Sequence, residues 1–265
     1  MRSCRAVYIP ARPDPHPSPK LKTRESMFRF RKRLRFFLTQ MRRPPILKVS
    51  ISNGRHPYGR TDPIDPDGRF HYYSKKTGTS GKAYEAANAK SQKLLAECPE
   101  VLEAAFRQIA KDDRSDIVLV SGDTTNNGEV ESHRECIALL NTLKEAGKRV
   151  YVITATHDYQ DSGETDGYVG DEKVKAPALH REELWELYRP FGPDEAIAVH
   201  RESMSYIVQL AEGYRLFALN DDSNGAGKSG FSEECFAWIA EQARKAREEG
   251  QFIIAMTHHP MLSPS

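Results

Sequence analysis

Residues 116–129 read Asp-Ile-Val-Leu-Val-Ser-Gly-Asp-Thr-Thr-Asn-Asn-Gly-Glu, and they pass from a short apolar run straight into a polar loop. The apolar run, 116–121, is continuous and rich in β-branched residues, which is typical of a strand buried on both faces of a parallel sheet. A helical pattern over 132–146 stops at Gly147, and a second buried-strand pattern follows at 149–154. These elements form a β-α-β unit, so the sequence predicts parallel strands, a right-handed crossover and an α/β class.

The residues on either side of this unit continue the alternation of helices and strands. Glu212 and Gly213 separate two strand patterns and are a hairpin signal. The polar, glycine-bearing residues 160–178 predict a loop. The other predicted elements are helices over 83–95, 101–111, 180–189, 193–200 and 232–248, and strands over 46–51, 205–210, 215–220 and 252–256.

The first 67 residues differ in composition from the remainder. They hold ten of the 16 prolines, and residues 1–60 carry 16 Lys and Arg against two Asp and Glu. Residues 1–60 therefore have a net charge of +14. Because the whole chain has a net charge of +2, the remaining residues have a net charge of −12. Because proline fixes φ and lacks an amide donor, we expect 1–67 to be extended or disordered, with a short basic helix over 26–40, before a folded domain over 68–265. Such an arm also suits nucleic acid or an anionic membrane surface, although the aromatic and glycine spacing of a nucleic-acid module is missing.

Cysteine usage and hydropathy exclude other classes of protein. The cysteines, Cys4, Cys98, Cys136 and Cys235, form no C-x-x-C pair. We therefore expect neither a zinc knuckle nor a disulfide framework. We expect free thiols in a reducing compartment. The chain has no run of about 18 apolar residues, and Phe36–Leu38 is too short for a signal-peptide core. We therefore expect no transmembrane helix, no signal peptide and, by default, a cytoplasmic location.

Three polar clusters come directly after predicted strands. Asp123 follows the first strand, His157 and Asp158 follow the second, and His258 and His259 follow the last. The carboxyl ends of parallel strands meet at one edge of an open α/β sheet, where such folds bind ligands. Asp and His side chains are suitable ligands for Mn, Fe or Zn. Three clusters of this kind, each at a strand end, predict a metal site.

The order and spacing of these motifs resemble the calcineurin-like metallophosphoesterases. The motifs are Gly122-Asp123 with Gly128-Glu129, the pair His157-Asp158, and His258-His259-Pro260, and segments around Tyr206 and Asn220 look like bacterial members. The resemblance covers roughly residues 69–265. It implies a layered β-sandwich flanked by helices and a hydrolase that acts on phosphoric ester bonds.

The resemblance also assigns metal ligands to positions of this sequence. Asp123 matches the carboxylate that bridges two metal ions. His258 and His71 match further ligands, and His259 is the less suitable of the two adjacent histidines. Thr156 stands where the family has a metal-binding Asn, and a hydroxyl is a poorer ligand than an amide oxygen. Two divalent ions, Mn, Fe or Zn, are therefore the expected cofactors.

Catalysis in such a site falls to a water activated between the metals. The ions would polarise the phosphoryl oxygens and generate a hydroxide that attacks phosphorus in line. His157 matches the residue that contacts phosphate and protonates the leaving oxygen, and Asp158 would hold its ring by a hydrogen bond. The implied activity is hydrolysis of phosphate mono- or diesters in a phosphorylated substrate.

Two of the family's motifs are altered or missing. The Asp-x-His motif has its best match at 69–71, where Arg69 replaces the Asp and His71 keeps the His. The last motif, Gly-His-x-His, would fall beyond Ser265. Metal sites usually need three or four protein ligands. We therefore expect a catalytic domain that is incomplete at both ends, weak metal binding and impaired activity.

Other classes of function stay open on the sequence. Arg69 and Thr156 favour a degenerate family member that binds phosphorylated ligands without turnover. The basic arm suits nucleic-acid binding, with an affinity that falls steeply with salt. Asn126 and Asn127 are read equally well as turn residues or as substrate contacts, and the same holds for the acidic pair at 221–222.

Overall fold

The computed structural model describes residues 70–91, 93–222 and 229–259, together with the backbone of Val7–Tyr8 and Val49–Ile51. The strand predicted over 46–51 is confirmed for Val49–Ile51. The helix predicted over 26–40 and the domain boundary predicted after residue 67 lie outside the described residues.

The described elements alternate between helix and strand along most of the chain. The strands are β1 Val7–Tyr8, β2 Val49–Ile51, β3 Ile117–Ser121, β4 Arg149–Ile153, β5 Glu164–Val169, β6 Glu172–Pro177, β7 Ala198–His200, β8 Ser205–Ala211, β9 Tyr214–Ala218 and β10 Phe252–Met256. The α-helices are α1 Lys82–Lys90, α2 Cys98–Lys111, α3 Val130–Glu145, α4 Arg181–Tyr188 and α5 Glu233–Glu248. Short 3-10 helices lie at Lys75–Thr77, Thr156–Asp158, Arg189–Phe191 and Pro193–Glu195.

Two β-sheets make up the centre of the fold. One has the order β2-β3-β4 with parallel strands, and Ser121 pairs with Ile153 at its carboxyl edge. The other has the order β1-β10-β9-β8-β7, in which β9 and β10 are parallel and the remaining pairs are antiparallel. The predicted unit β3-α3-β4 is confirmed. So is the hairpin β8-β9, whose turn includes Gly213 at φ +79°.

Alternate residues of β3 pack into two different cores. Val118 packs in one cluster with Phe106 of α2 and Leu140 of α3. Leu119 packs in another cluster with Val208 of the second sheet. The opposite face of the second sheet is covered by α5. Burial of one such side chain stabilises the fold by roughly 1.5–3 kcal/mol. The resulting helix–sheet–sheet–helix layers confirm the predicted α/β sandwich.

The loop predicted over 160–178 is wrong for most of its length. Strands β5 and β6 form an antiparallel hairpin there, and it turns at Gly170 with φ +58°. Both strands are polar, and their charges pair across the hairpin, as in the 2.6 Å contact between Lys173 Nζ and Asp166 Oδ2. A polar two-stranded ribbon has little apolar alternation, so the pattern that reveals buried strands is absent from it.

The helix predicted over 193–200 is also wrong. One 3-10 turn covers Pro193–Glu195, and Ala198–His200 form β7 at the edge of the five-stranded sheet. Gly192, at φ +126°, takes the chain out of the helical conformation, and β7 then gains backbone hydrogen bonds by pairing with β8. The other predicted helices that fall on described residues are confirmed, although α1 ends at Lys90 rather than at residue 95.

Two expectations about composition can be compared with the described residues. Cys98, Cys136 and Cys235 are free thiols, and the last two are buried. Free thiols are therefore confirmed for these three cysteines. In the part of the chain that the structure describes, no helix has both the length and the apolar character needed to span a bilayer.

Candidate metal centre

Asp123 lies just after β3, at the edge of the sandwich where β4 and β10 also end. Its side chain is 1% exposed. Gly122 and Asp123 have φ values of +88° and +51°, a conformation that is strained for an aspartate. A Cβ on Gly122 would lie 2.8 Å from Ala155 Cβ and 3.1 Å from His258 Nδ1. Glycine is therefore required for the loops after β3, β4 and β10 to approach one another.

His258, from the loop after β10, contacts Asp123 directly. Its Nε2 lies 3.1 Å from Asp123 Oδ2, and its Nδ1 donates a hydrogen bond of 2.8 Å to the carbonyl of Ser121. Because Nδ1 carries a proton, Nε2 is the nitrogen that faces the carboxylate. Nε2 and Oδ2 then share either a proton or a cation. A backbone carbonyl that fixes the tautomer in this way is a common partner of metal-binding histidines.

His71 approaches the same carboxylate oxygen from the other side of the loop. Its Nε2 lies 3.8 Å from Asp123 Oδ2, and its backbone amide donates to the carbonyl of Asp123 over 2.9 Å. Its φ is +43°, so a second non-glycine residue of the site is in the left-handed region. Burial raises the pKa of Asp123, but the hydrogen bond from His258 and the nearby imidazoles outweigh it and hold that pKa well below its usual range.

His157 lies in the 3-10 turn after β4, and its backbone amide donates to Asp123 Oδ1 over 3.2 Å. Its ring Nδ1 is 2.7 Å from the carbonyl of Asn126 and 3.0 Å from Asn127 Oδ1. Both partners are oxygen acceptors, so Nδ1 carries a proton and Nε2 is left for chemistry. The ring also meets the ring of His71 edge to face, with 5.1 Å between centroids. Burial and then the charge of Lys93 lower the pKa of His157.

The hydrogen bond predicted between Asp158 and the His157 ring is wrong. The Asp158 carboxylate is fully buried and accepts bonds from the Thr124 hydroxyl at 2.5 Å, the Thr125 amide at 2.9 Å and the Ala155 amide at 2.9 Å. These donors turn it towards the loop after β3 and away from the ring. Burial and then the charge of Asp123 raise the pKa of Asp158 to about 6. Asp158 therefore joins two loops of the site, and the ring of His157 is held by other groups.

The remaining predicted ligand, Thr156, begins the same 3-10 turn. Its half-buried hydroxyl makes no hydrogen bond to the described residues. His259 is turned towards Asp221, whose Oδ2 accepts from the His259 amide at 2.8 Å. Asp222 pairs with Arg181 over 3.2 Å. The acidic pair at 221–222 thus makes contacts within the fold, and both interpretations of this pair stay open.

Three residues of the site were missed or left undecided by the sequence. Lys93 Nζ lies 3.0 Å from Asn126 Oδ1 and 3.3 Å from the Asn126 carbonyl. Glu129, which is buried, accepts from Asn126 Nδ2 over 3.0 Å. Burial raises the pKa of Glu129, against the hydrogen bonds that it accepts. No motif points to Lys93, because it lies in a separate segment between α1 and α2.

The described residues supply part of a metal ligand set. Two ligand atoms of one ion lie about 3–3.5 Å apart when each bond is about 2.0–2.2 Å. The 3.1 Å between His258 Nε2 and Asp123 Oδ2 matches that spacing, whereas the 3.8 Å to His71 Nε2 is wider. No group of three or more His, Cys, Asp and Glu among the described residues is arranged to hold a metal ion. The donor types fit a divalent cation, and the described residues alone do not complete a ligand set.

A four-layer α/β sandwich with a buried Asp and nearby histidines at its strand ends is compatible with the class of metal-dependent hydrolases. Within that class, the calcineurin-like phosphoesterase family matches residues 96–265, and the chain belongs to this family. It is accordingly a hydrolase that acts on phosphoric ester bonds, and members of the family use two divalent metal ions.

Comparison with known structures supports the same fold. A dimetal phosphatase from Danio rerio has 11% sequence identity to the chain and a TM-score of 0.50, with 83% of this chain and 71% of that chain covered. Identity this low supports the fold alone. Among curated proteins, none matches this chain.

Proposed function

We propose that the chain hydrolyses phosphate mono- or diesters with two divalent cations drawn from Mn, Fe and Zn. The observation that carries the proposal is the pair of imidazoles, His258 and His71, that converge on Oδ2 of the buried Asp123. The loops after β3, β4 and β10 and the segment before α1 supply the groups around this carboxylate. A buried carboxylate and imidazoles are donors that suit divalent metal ions, and the chain's family catalyses the hydrolysis of phosphoric esters.

Asp123, His258 and His71 are the residues that would hold a cation, with Thr156 as a weaker candidate. When bound, such ions polarise phosphoryl oxygens and lower the pKa of water. Asp123 is poised as a ligand because its pKa is held well below the usual range, so the carboxylate is ionised at neutral pH. The Ser121 carbonyl keeps the His258 ring in the tautomer that presents Nε2.

His157 is the candidate general acid. Its Nδ1 proton is committed to oxygen acceptors of residues 126 and 127, so the imidazolium form, which has a second proton on Nε2, would donate that proton to a leaving oxygen. Its backbone amide binds Asp123 Oδ1, which ties the position of the acid to the position of the candidate ligand. No nucleophilic side chain is required, since water attacks phosphorus directly.

The proposal is tested by turnover of bis-p-nitrophenyl phosphate and p-nitrophenyl phosphate after loading with Mn²⁺. Asp123→Asn removes the candidate ligand at nearly constant volume. Asp171→Asn is the matched control, because that carboxylate is exposed and pairs with Lys82 on the surface. Metal-dependent turnover that is lost in Asp123→Asn and kept in Asp171→Asn supports the proposal. Turnover that survives in Asp123→Asn contradicts it.

A second candidate is binding of phosphorylated ligands without turnover. It is favoured by the incomplete ligand set of the described residues and by Arg69 and Thr156, which replace an Asp and an Asn of the family pattern. Calorimetry with inorganic phosphate tests it in the same Mn²⁺-loaded protein. Phosphate binding with no hydrolysis of either ester would favour this candidate, and hydrolysis at any rate above the Asp123→Asn variant would exclude it.

Nucleic-acid binding through the arm at residues 1–60 remains a prediction, since only the backbone of Val7–Tyr8 and Val49–Ile51 is described within that arm. It predicts an affinity that falls with a log–log salt slope of about −0.9 per phosphate contact. Replacement of the Lys and Arg residues between β1 and β2 by Gln keeps both strands, and it would abolish that binding and leave ester hydrolysis in place.

A further inference from the structure

The ammonium group of Lys93 lies against the loop that follows β3. It is 3.0 Å from Asn126 Oδ1 and 3.3 Å from the Asn126 carbonyl oxygen, so both oxygens of one residue accept from it. The same nitrogen is 3.4 Å from His157 Nδ1. Lys93 is half-buried and comes from the segment between α1 and α2, some thirty residues before Asn126 in the chain.

The contact between Lys93 and His157 is not a hydrogen bond. His157 Nδ1 has oxygen acceptors at 2.7 Å in the Asn126 carbonyl and at 3.0 Å in Asn127 Oδ1, so Nδ1 is already a donor. An ammonium group is also only a donor. The two groups therefore meet because they share one acceptor, the carbonyl of Asn126.

Asn126 is held on its other side as well. Its Nδ2 donates to Glu129 Oε1 over 3.0 Å, and Glu129 Oε2 accepts from the Asn127 amide over 3.1 Å. This pattern determines the orientation of the amide, because Oδ1 must face the ammonium and Nδ2 must face the carboxylate. Glu129 is 1% exposed, so water has little access to its hydrogen bonds with Asn126 and Asn127.

We propose that Lys93 is a positioning residue for hydrolysis, and that its ammonium clamps Asn126 so that the carbonyl holds the Nδ1–H of His157 and leaves Nε2, which carries the second proton of the imidazolium form, as the atom that donates to the leaving oxygen. The inference rests on the proposed function, because it gives His157 the role of acid. It assigns to Lys93, Asn126 and Glu129 the orienting task that the sequence suggested for Asp158.

A structural alternative is that Lys93 simply fastens one loop to another. Lys93→Met removes the charge and the donors at similar length, and Lys93→Arg keeps both. Lys75→Met is the matched control, because Lys75 is exposed and pairs with Glu100 on the surface. Each variant is loaded with Mn²⁺ and assayed with p-nitrophenyl phosphate and phenyl phosphate. Phenolate is the poorer leaving group, so its departure depends more strongly on a well-placed acid.

For Lys93→Met we expect kcat to fall by about 10²-fold with phenyl phosphate and by less than about tenfold with p-nitrophenyl phosphate, with KM within about twofold of wild type. Lys93→Arg should recover most of the loss, and Lys75→Met should behave as wild type. An equal fall in kcat for both esters, or a change confined to KM, would overturn the positioning role.

A second measurement needs no activity. Nitrogen NMR of ¹⁵N-histidine protein without metal reports the tautomer of each ring, and His157→Gln assigns the His157 signals. We expect the Nδ1–H form for wild type and Lys75→Met, and a mixture of tautomers for Lys93→Met. An unchanged tautomer in Lys93→Met would overturn the inference. If the wild type shows no turnover, the proposed function is wrong. The tautomer of His157 in wild type and in Lys93→Met then still tests whether Lys93 orients the ring.

Discussion

Thr124 donates a hydrogen bond of 2.5 Å to Asp158 Oδ1, and this bond joins the loop after β3 to the loop after β4. The same carboxylate accepts the amides of Thr125 and Ala155, so its oxygens meet donors on every side. Asp158→Asn would point an amide donor at another donor, and we expect the free energy of unfolding to fall by about 2 kcal/mol or more. Denaturant unfolding measures this. The exposed control Asp171→Asn should unfold as wild type, and equal shifts in the two variants would show that Asp158 is not a structural acceptor.

Loss of the His157 side chain should reduce turnover and leave stability nearly unchanged. His157→Ala removes the candidate acid, so we expect kcat to fall by about 10²–10⁴-fold. Its ring is half-buried, and Lys93 still donates to the Asn126 carbonyl when the ring is removed, so the midpoint of thermal unfolding should move little. The control is His200→Ala, another half-buried imidazole that bonds Ser203 outside the site. If His157→Ala lost stability in proportion to turnover, its role would be structural.

A comparison of variants at Gly122 and Gly147 distinguishes the close approach of His258 to the loop after β3 from backbone strain. Gly122→Ala and Gly147→Ala both place a side chain at positive φ, +88° and +83°, which costs each about 1–2 kcal/mol. A Cβ at Gly147 meets nothing within 4 Å, whereas one at Gly122 lies 3.1 Å from His258 Nδ1. We expect both variants to lose stability and only Gly122→Ala to lose Mn²⁺-dependent turnover, by about tenfold or more. Equal turnover in both would mean that the approach of His258 is unimportant.

His133 predicts a pH dependence of stability. Burial lowers the pKa of His133 to about 4, against the bond that its Nε2 donates to the Asp158 carbonyl. The unfolded chain therefore binds more protons than the folded chain between pH 6.5 and 4, and the stability that neutral His133 contributes is lost as pH falls through that window. The advantage of wild type over His133→Gln should shrink by up to about 3 kcal/mol from pH 7 to pH 4.

Asp158 acts in the opposite direction, because its pKa is raised to about 6 and protonation below that value favours the folded state. Urea unfolding of wild type alone would mix the two effects. The difference between wild type and His133→Gln at each pH isolates the histidine, and a difference that does not vary with pH would contradict the prediction.

Metal binding should stabilise the fold independently of turnover. An ion at a hundred times its Kd stabilises the folded state by about 2.7 kcal/mol, which raises the unfolding midpoint by several degrees. We expect Mn²⁺ to raise the midpoint of wild type and of Asp171→Asn but not of Asp123→Asn, and EDTA to reverse the shift. The same rise in Asp123→Asn would place the ion elsewhere.

Local pattern was sufficient for much of the fold. We could recognise the buried strands Ile117–Ser121 and Arg149–Ile153 and the helix between them from the sequence. Apolar β-branched residues and helix-ending glycines influence only the few residues next to them in the chain, so their pattern is visible locally. The two polar strands β5 and β6 could not be recognised from local pattern. The hairpin β5-β6 is held by cross-strand charge pairs and backbone hydrogen bonds, neither of which leaves an apolar period in the sequence.

The sequence by itself determined the class of the chain and the identity of its candidate ligands. Asp123 and His157 follow the neighbouring parallel strands β3 and β4, so their convergence was implied by local pattern. His258 follows β10 of the other sheet, and only the packing of the two sheets brings it to Asp123. Only the tertiary structure decided how each ring is held. His157 is oriented by the carbonyl of Asn126 and the charge of Lys93, while the neighbouring Asp158 turns to donors in another loop. Adjacent residues in a tight turn point in different directions. Apart from the Ala155 amide, the hydrogen-bond partners named here lie more than thirty positions away, where only folding brings them within reach.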